Sequence, residues 1–236
     1  MRNAASLWLG SSETRAWRAI AKDLGMISLL YKNTNVNTHT LLLRVSIYIS
    51  IFIMGRTVMT YEEALAETGS PFLLKKSLAT EELYKLSRGA YSRVKHPDPL
   101  VLAHVLYPDA VVTMDSALYA YGLTDVIPEK THLATSRNAT RITRPGYRQH
   151  FTEDALLDPG AVEIEREEGP VRIYDRERLL VEVMRRQASL PLDYYKEVID
   201  SYRKIADELD PALVEDYMDL FKKNDFMFDI FQREVL

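Results

Sequence analysis

The chain contains no cysteine, which excludes a disulfide framework, a thiolate zinc site, an iron–sulfur cluster and a cysteine nucleophile in any compartment. Imidazole is scarce as well: five histidines are spread over 236 residues, with no HExxH or paired-ligand spacing to support metal hydrolysis. Neither a Walker loop nor a GxGxxG fingerprint occurs. A membrane-length apolar run is also missing. Residues 41–54 are strongly apolar, but these 14 residues include Arg44 and fall short of the roughly 20 that cross a bilayer. The run lies far from the N-terminus and no small-residue cleavage site follows it, so a signal peptide fits badly. The expected localisation is cytoplasmic, with no membrane partner and no cofactor.

What is present is ordinary folded material. Hydrophobic residues make up 47% and charged residues 27% of the chain, near the average for globular proteins, and the length suits one large domain or two small ones. The net charge of -4 conceals a gradient: residues 1–58 carry a net +5, residues 59–150 a net +1 and residues 151–236 a net -10. A polyanion would therefore meet the N-terminal half, and the acidic rear would repel it.

Three segments follow from the patterning. Residues 1–58 form a poorly patterned extension. Within it, residues 13–31 carry Trp17, Ile20, Ala21 and Leu24 at helical spacing, whereas Val45, Ile47, Ile49 and Ile51 alternate with polar residues like a half-buried strand. Two readings stay open for this extension: it supplies the first helix of the next domain, or it is upstream translation.

From residue 59 the signals sharpen. Thr60 and Glu63 make a capping box, so a short helix starts there and closes near Gly69. Ser70 then caps a second helix with Pro71 at its first position, and Leu74 and Leu78 share one face of it. Two short runs on either side of Gly89 read as a hairpin. Helix, turn, helix and hairpin over residues 59–96 predict a winged helix-turn-helix. Pro97 and Pro99 mark the next boundary.

Residues 97–236 read as a mixed α/β domain with a helical C-terminus, so the fold class expected for the chain is α+β. Strands are expected at residues 110–113, 131–135, 147–151, 161–165 and 171–174. Helices are expected at 100–107 and 115–121, after Asp175, over 192–209 and over 211–222, with a final aromatic helix holding Phe226, Phe228 and Phe231. Tyr194, Tyr195, Val198, Tyr202, Leu213, Tyr217 and Phe221 fall at core spacing.

Positive charge gathers on the winged-helix segment, where Lys75, Lys76, Lys85, Arg88, Arg93 and Lys95 face only Glu81 and Glu82 across residues 71–95. In such a motif the N-terminal residues of the second helix reach base edges and the remaining cations hold phosphates. The candidate DNA contacts are Ser70, Phe72, Lys75 and Lys76 on the helix, and Lys85, Arg88 and Arg93 around the wing. Arg137, Arg141, Arg144 and Arg148 form a second candidate nucleic-acid patch. Their spacing suits a helix face, yet Asn138, Pro145 and Gly146 argue for a loop.

Glu163 and Glu165 alternate onto one strand face, as a metal-dependent nuclease could use, but no lysine lies between Lys130 and Lys196 to assist them. The outer face of an edge strand accounts better for them. No catalytic residues and no metal ligands are therefore expected. The rival functions are a nuclease-like enzyme using Glu163 and Glu165, and a protein-interaction module without DNA affinity.

Three stretches in order carry a family likeness. They are Leu83-Tyr-Lys-Leu-Ser-Arg-Gly-Ala-Tyr91, then Tyr107-Pro-Asp-Ala-Val-Val-Thr-Met-Asp-Ser-Ala-Leu-Tyr-Ala-Tyr-Gly-Leu123, then Val171-Arg-Ile-Tyr-Asp-Arg-Glu-Arg178. From about Thr60 onward the chain resembles the AbiEi family of type IV antitoxins, bacterial autoregulators of abortive-infection systems. The resemblance implies a winged helix that binds inverted repeats in its own promoter. It also implies a C-terminal domain that counters a nucleotidyltransferase-like toxin without a stable complex. The family places a further helix ahead of the one that starts at Thr60, a role that here either falls to residues 13–31 or goes unfilled.

Overall fold

The first strand of the described residues is β1, Val58–Thr60. The computed structural model describes residues 56–222 and 224–235, so the expected helix over residues 13–31 and the alternating stretch near residues 45–51 lie outside the described residues. Thr60 then caps α1, Tyr61–Thr68. Its hydroxyl accepts from the Glu63 amide at 3.2 Å, and the Glu63 carboxylate accepts from the Thr60 amide at 2.7 Å. Both orphan donors are met by the reciprocal pair that the sequence encodes. Gly69 ends the helix at φ +82°, a left-handed turn that a side chain would oppose. Ser70 caps α2, Pro71–Ala79, accepting from the Leu73 amide at 3.2 Å. Strands β2, Tyr84–Ser87, and β3, Ala90–Ser92, form the expected hairpin.

These elements make a small antiparallel sheet in the order β1-β3-β2, with Val58 opposite Ser92 and Met59 opposite Tyr91. Strand β1 has only three residues, too few for a periodic signal, and it exists because β3 supplies its hydrogen-bond partners. One face of the sheet meets α1 and α2 through a core of Met59, Ala64, Leu74, Leu83 and Tyr91. The other face leans on α3, Pro99–Leu106, and Val58 joins the main core there. Five buried side chains are a thin core for about 40 residues, so cover from α3 on the second face matters.

The main body is a five-stranded mixed sheet ordered β6-β5-β4-β8-β7. Its strands are β4 (Val111–Val112), β5 (Thr131–Ser136), β6 (Tyr147–Thr152), β7 (Ala161–Arg166) and β8 (Gly169–Tyr174). The pairs β4–β8 and β5–β6 are parallel, whereas β4–β5 and β7–β8 are antiparallel. Helices α4 (Met114–Ala120), α5 (Asp154–Leu157) and α6 (Arg176–Arg185) connect or follow the strands. Helix α6 is buried from Arg178 to Met184, and no stripe of it faces water over that stretch. The chain is therefore α+β with mixed sheets, as expected.

The C-terminal helices are α7 (Leu192–Lys204), α8 (Pro211–Asp219) and α9 (Asp225–Ile230), followed by a π-helical turn, Phe231–Val235. The continuous helix expected over 192–209 is broken. Ile205 leaves helical geometry at ψ 17°, and a 3-10 turn, Ala206–Glu208, carries Leu209 into the core and Asp210 into position to cap α8. Of the residues expected at core spacing, Tyr195, Val198 and Tyr202 are buried, Tyr194, Tyr217 and Phe221 are partly buried against the same core, and Leu213 is half-buried, because Val214 and Met218 take the innermost positions of α8. Among the described residues no helix is long and apolar enough to cross a membrane.

Candidate nucleic-acid interface

Helix α2 has one buried face and a wide exposed one, which includes Pro71 and Leu73. Leu74 is buried and Leu78 packs against the same small core, whereas Phe72, Lys75, Lys76 and Ala79 are exposed. Those four positions follow i, i+3, i+4 and i+7, one continuous outward stripe. The stripe begins where the helix leaves its Ser70 cap, and Phe72 is 76% exposed there. The end of a helix that presents free amides favours anions, so a phosphate and the two lysines would act in the same direction.

The hairpin adds two cations. Lys85 lies directly opposite Tyr91 in the ladder, which puts it on the sheet face covered by α1 and α2, and it is exposed there. Arg88 is exposed in the two-residue turn, where Gly89 takes φ +85°. Arg93 behaves differently. Its guanidinium reaches Glu67 on α1, with Nη2 3.0 Å from Oε2, and it lines a shallow cleft with Leu73 and Ser77. Around the α2 axis that cleft lies away from Lys75. The structure thus gathers Phe72, Lys75 and Lys76 on one exposed stripe, with half-exposed Ser70 at the cap where the helix starts rather than on the stripe, Lys85 on the helix-covered side of the sheet and Arg88 at the hairpin tip, and leaves Arg93 engaged with an acid.

Arg137, Arg141 and Arg144 sit in the loop joining β5 to β6, and Arg148 is on β6 itself. No helix aligns them. Arg137 stands 3.7 Å from Glu153 with both side chains well exposed, a pair of small energetic consequence. Glu163 and Glu165 are exposed on β7, an edge of the five-stranded sheet. Among the described residues no group of three or more His, Asp or Glu side chains is arranged to hold a metal ion.

Between β5, β6 and α6 runs a partly buried polar chain that spacing alone did not single out. His132 Nε2 is 3.6 Å from Asp115, the His132 and His150 rings stand 5.1 Å apart, and His150 Nδ1 is 2.6 Å from the Arg186 guanidinium. That contact makes Nδ1 the acceptor, with the proton on the other ring nitrogen. Burial, reinforced by Arg186, pushes the His150 imidazole down to about 3, and burial likewise lowers His132. Both rings are neutral near pH 7. Glu182 closes the chain, paired with Arg178 at 3.0 Å, Arg185 at 2.7 Å and Arg186 at 3.2 Å. Burial alone would raise this carboxyl, yet the three guanidiniums hold it below the ordinary range. The i, i+4, i+8 spacing of Arg178, Glu182 and Arg186 was the available signal. It resembles an exposed charge ladder until the surrounding apolar residues are seen to enclose it.

No protein-family model matches the chain, and no curated protein matches it.

Proposed function

We propose that residues 59–96 form a winged helix that binds DNA, with α2 as the recognition helix and the β2–β3 turn as the wing. The chain then acts in the cytoplasm as a transcriptional autorepressor and antitoxin of a type IV system, countering a nucleotidyltransferase-like toxin. The observation that carries this reading is the exposed stripe of Phe72, Lys75 and Lys76 running from the Ser70 cap. The element order strand, helix, helix, hairpin and the sheet order β1-β3-β2 support it.

The antitoxin part rests on the resemblance. Two of the stretches that carry it meet in the fold: residues 107–123 run through β4, residues 171–178 run from β8 into α6, and Val112 pairs with Ile173. They supply neighbouring central strands, so their joint presence supports a shared framework. The toxin would be countered without a stable complex, and promoter inverted repeats are the partner DNA.

A gel shift with the promoter of the chain's own gene tests the reading. The intact chain should bind with strong salt dependence. Lys75→Ala with Lys76→Ala should weaken binding and flatten the log–log salt slope by about 2, since each phosphate contact contributes about 0.9. Unchanged affinity and slope would remove the assignment. Co-expression with a nucleotidyltransferase-like toxin encoded beside it should restore growth.

A further inference from the structure

We propose that Phe72 is a specificity-determining residue that reads the 5-methyl group of a thymine in the major groove, an inference that rests on the DNA-binding reading above. A phenyl ring 76% exposed at the second position of a capped helix is not part of either hydrophobic core among the described residues. Pro71 at the first position and the Ser70–Leu73 cap bond fix the backbone beneath it, so the ring projects from a rigid site. Residues at that end of a recognition helix approach base edges. A hydrocarbon ring offers no hydrogen bond there. Among the four bases, only thymine presents an apolar group to the major groove.

The neighbours of the ring favour this partner over a protein. Lys75 and Lys76 follow at i+3 and i+4 on the same stripe and are exposed. The centre of a protein interface is depleted of charge, whereas a DNA interface needs cations beside the base-reading group. The roles then separate along one helix. Lysines set affinity through phosphates, and Phe72 sets preference for a thymine without a change in the number of ionic contacts.

The experiment uses the intact chain and a randomised duplex pool. Selected duplexes are resynthesised with deoxyuridine replacing each thymidine in turn, which deletes one methyl group and nothing else. At one thymidine per bound head the wild type should lose about fourfold in affinity, the worth of one buried methyl. Phe72→Ala, whose thermal unfolding should match the wild type, should bind the thymidine and deoxyuridine duplexes equally and keep the wild-type salt slope.

Tolerance of deoxyuridine at every position by the wild type overturns the assignment while leaving DNA binding intact. So does a penalty that persists in Phe72→Ala. Unchanged DNA selection with an altered sedimentation coefficient in Phe72→Ala would assign the ring to a protein contact. A pool that enriches no sequence, with no binding at low salt, instead brings down the DNA-binding reading itself.

Discussion

Val58 and Met59 are consecutive residues of one strand and belong to different hydrophobic cores. Side chains alternate across a strand, so β1 stitches the small sheet to the main body with Val58 and to α1 and α2 with Met59. A three-residue strand thereby couples the proposed DNA-reading head to the α/β body.

Met59→Ala should destabilise the head by about 2–5 kcal/mol, the usual range for a buried methionine truncated to alanine. Amide exchange should rise first in α1 and α2. Val58→Ala should instead raise it along α3 and β8. Identical exchange maps for the two variants would show that the cores are not separable.

Arg178 is fully buried and does more than neutralise Glu182. Its Nη2 also donates to the Leu156 carbonyl at 3.1 Å, and the guanidinium lies 5.0 Å and 4.8 Å from the Tyr174 and Phe221 ring centres. Arg178→Met should cost about 3–5 kcal/mol in urea unfolding, because Glu182 keeps its buried charge with one cation fewer. Removing both charges, with Glu182→Met added, should cost less than the two single changes summed.

Buried His132 and half-buried His150 make stability depend on pH. Each folded-state imidazole titrates below the ordinary 6.5, His150 at about 3, so between those limits the unfolded chain binds more protons. Stability present above pH 6.5 is therefore lost as the pH falls, by at most about 1.4 kcal/mol per pH unit for each histidine. His150→Asn should flatten the slope between pH 6.5 and 5. An unchanged slope in that window would show that His150 is not held neutral.

Two glycines with left-handed backbones should respond unequally to alanine. A Cβ on Gly69, at φ +82°, meets open space, whereas one on Gly160, at φ +78°, would sit 2.4 Å from the Arg178 Cβ. Gly69→Ala should cost about 1–2 kcal/mol from the backbone alone. Gly160→Ala adds overpacking of about 1–3 kcal/mol to that, and thermal unfolding of the two variants should rank accordingly.

Much of the head was legible because its signals act within four residues. The Thr60–Glu63 box, the Ser70–Pro71 start and Gly69 each satisfy or free a local backbone group, and the helices stand where those residues predict. The exposure of Lys75 and Lys76 followed from the spacing of Leu74 and Leu78. Strand β1 left no such trace. Nor did the ion pair that occupies Arg93, because Glu67 is 26 residues away in the chain.

Local chemistry along the chain sufficed for most helices and strands, for the caps and for a basic front ahead of an acidic rear, since these depend on neighbours in sequence and on composition. The strand orders, the break at Ile205, the sharing of β1 between two cores and the enclosure of Arg178 and Glu182 arose from packing. Each depends on partners tens of residues distant, whose proximity exists only once the sheets have formed and water has been excluded.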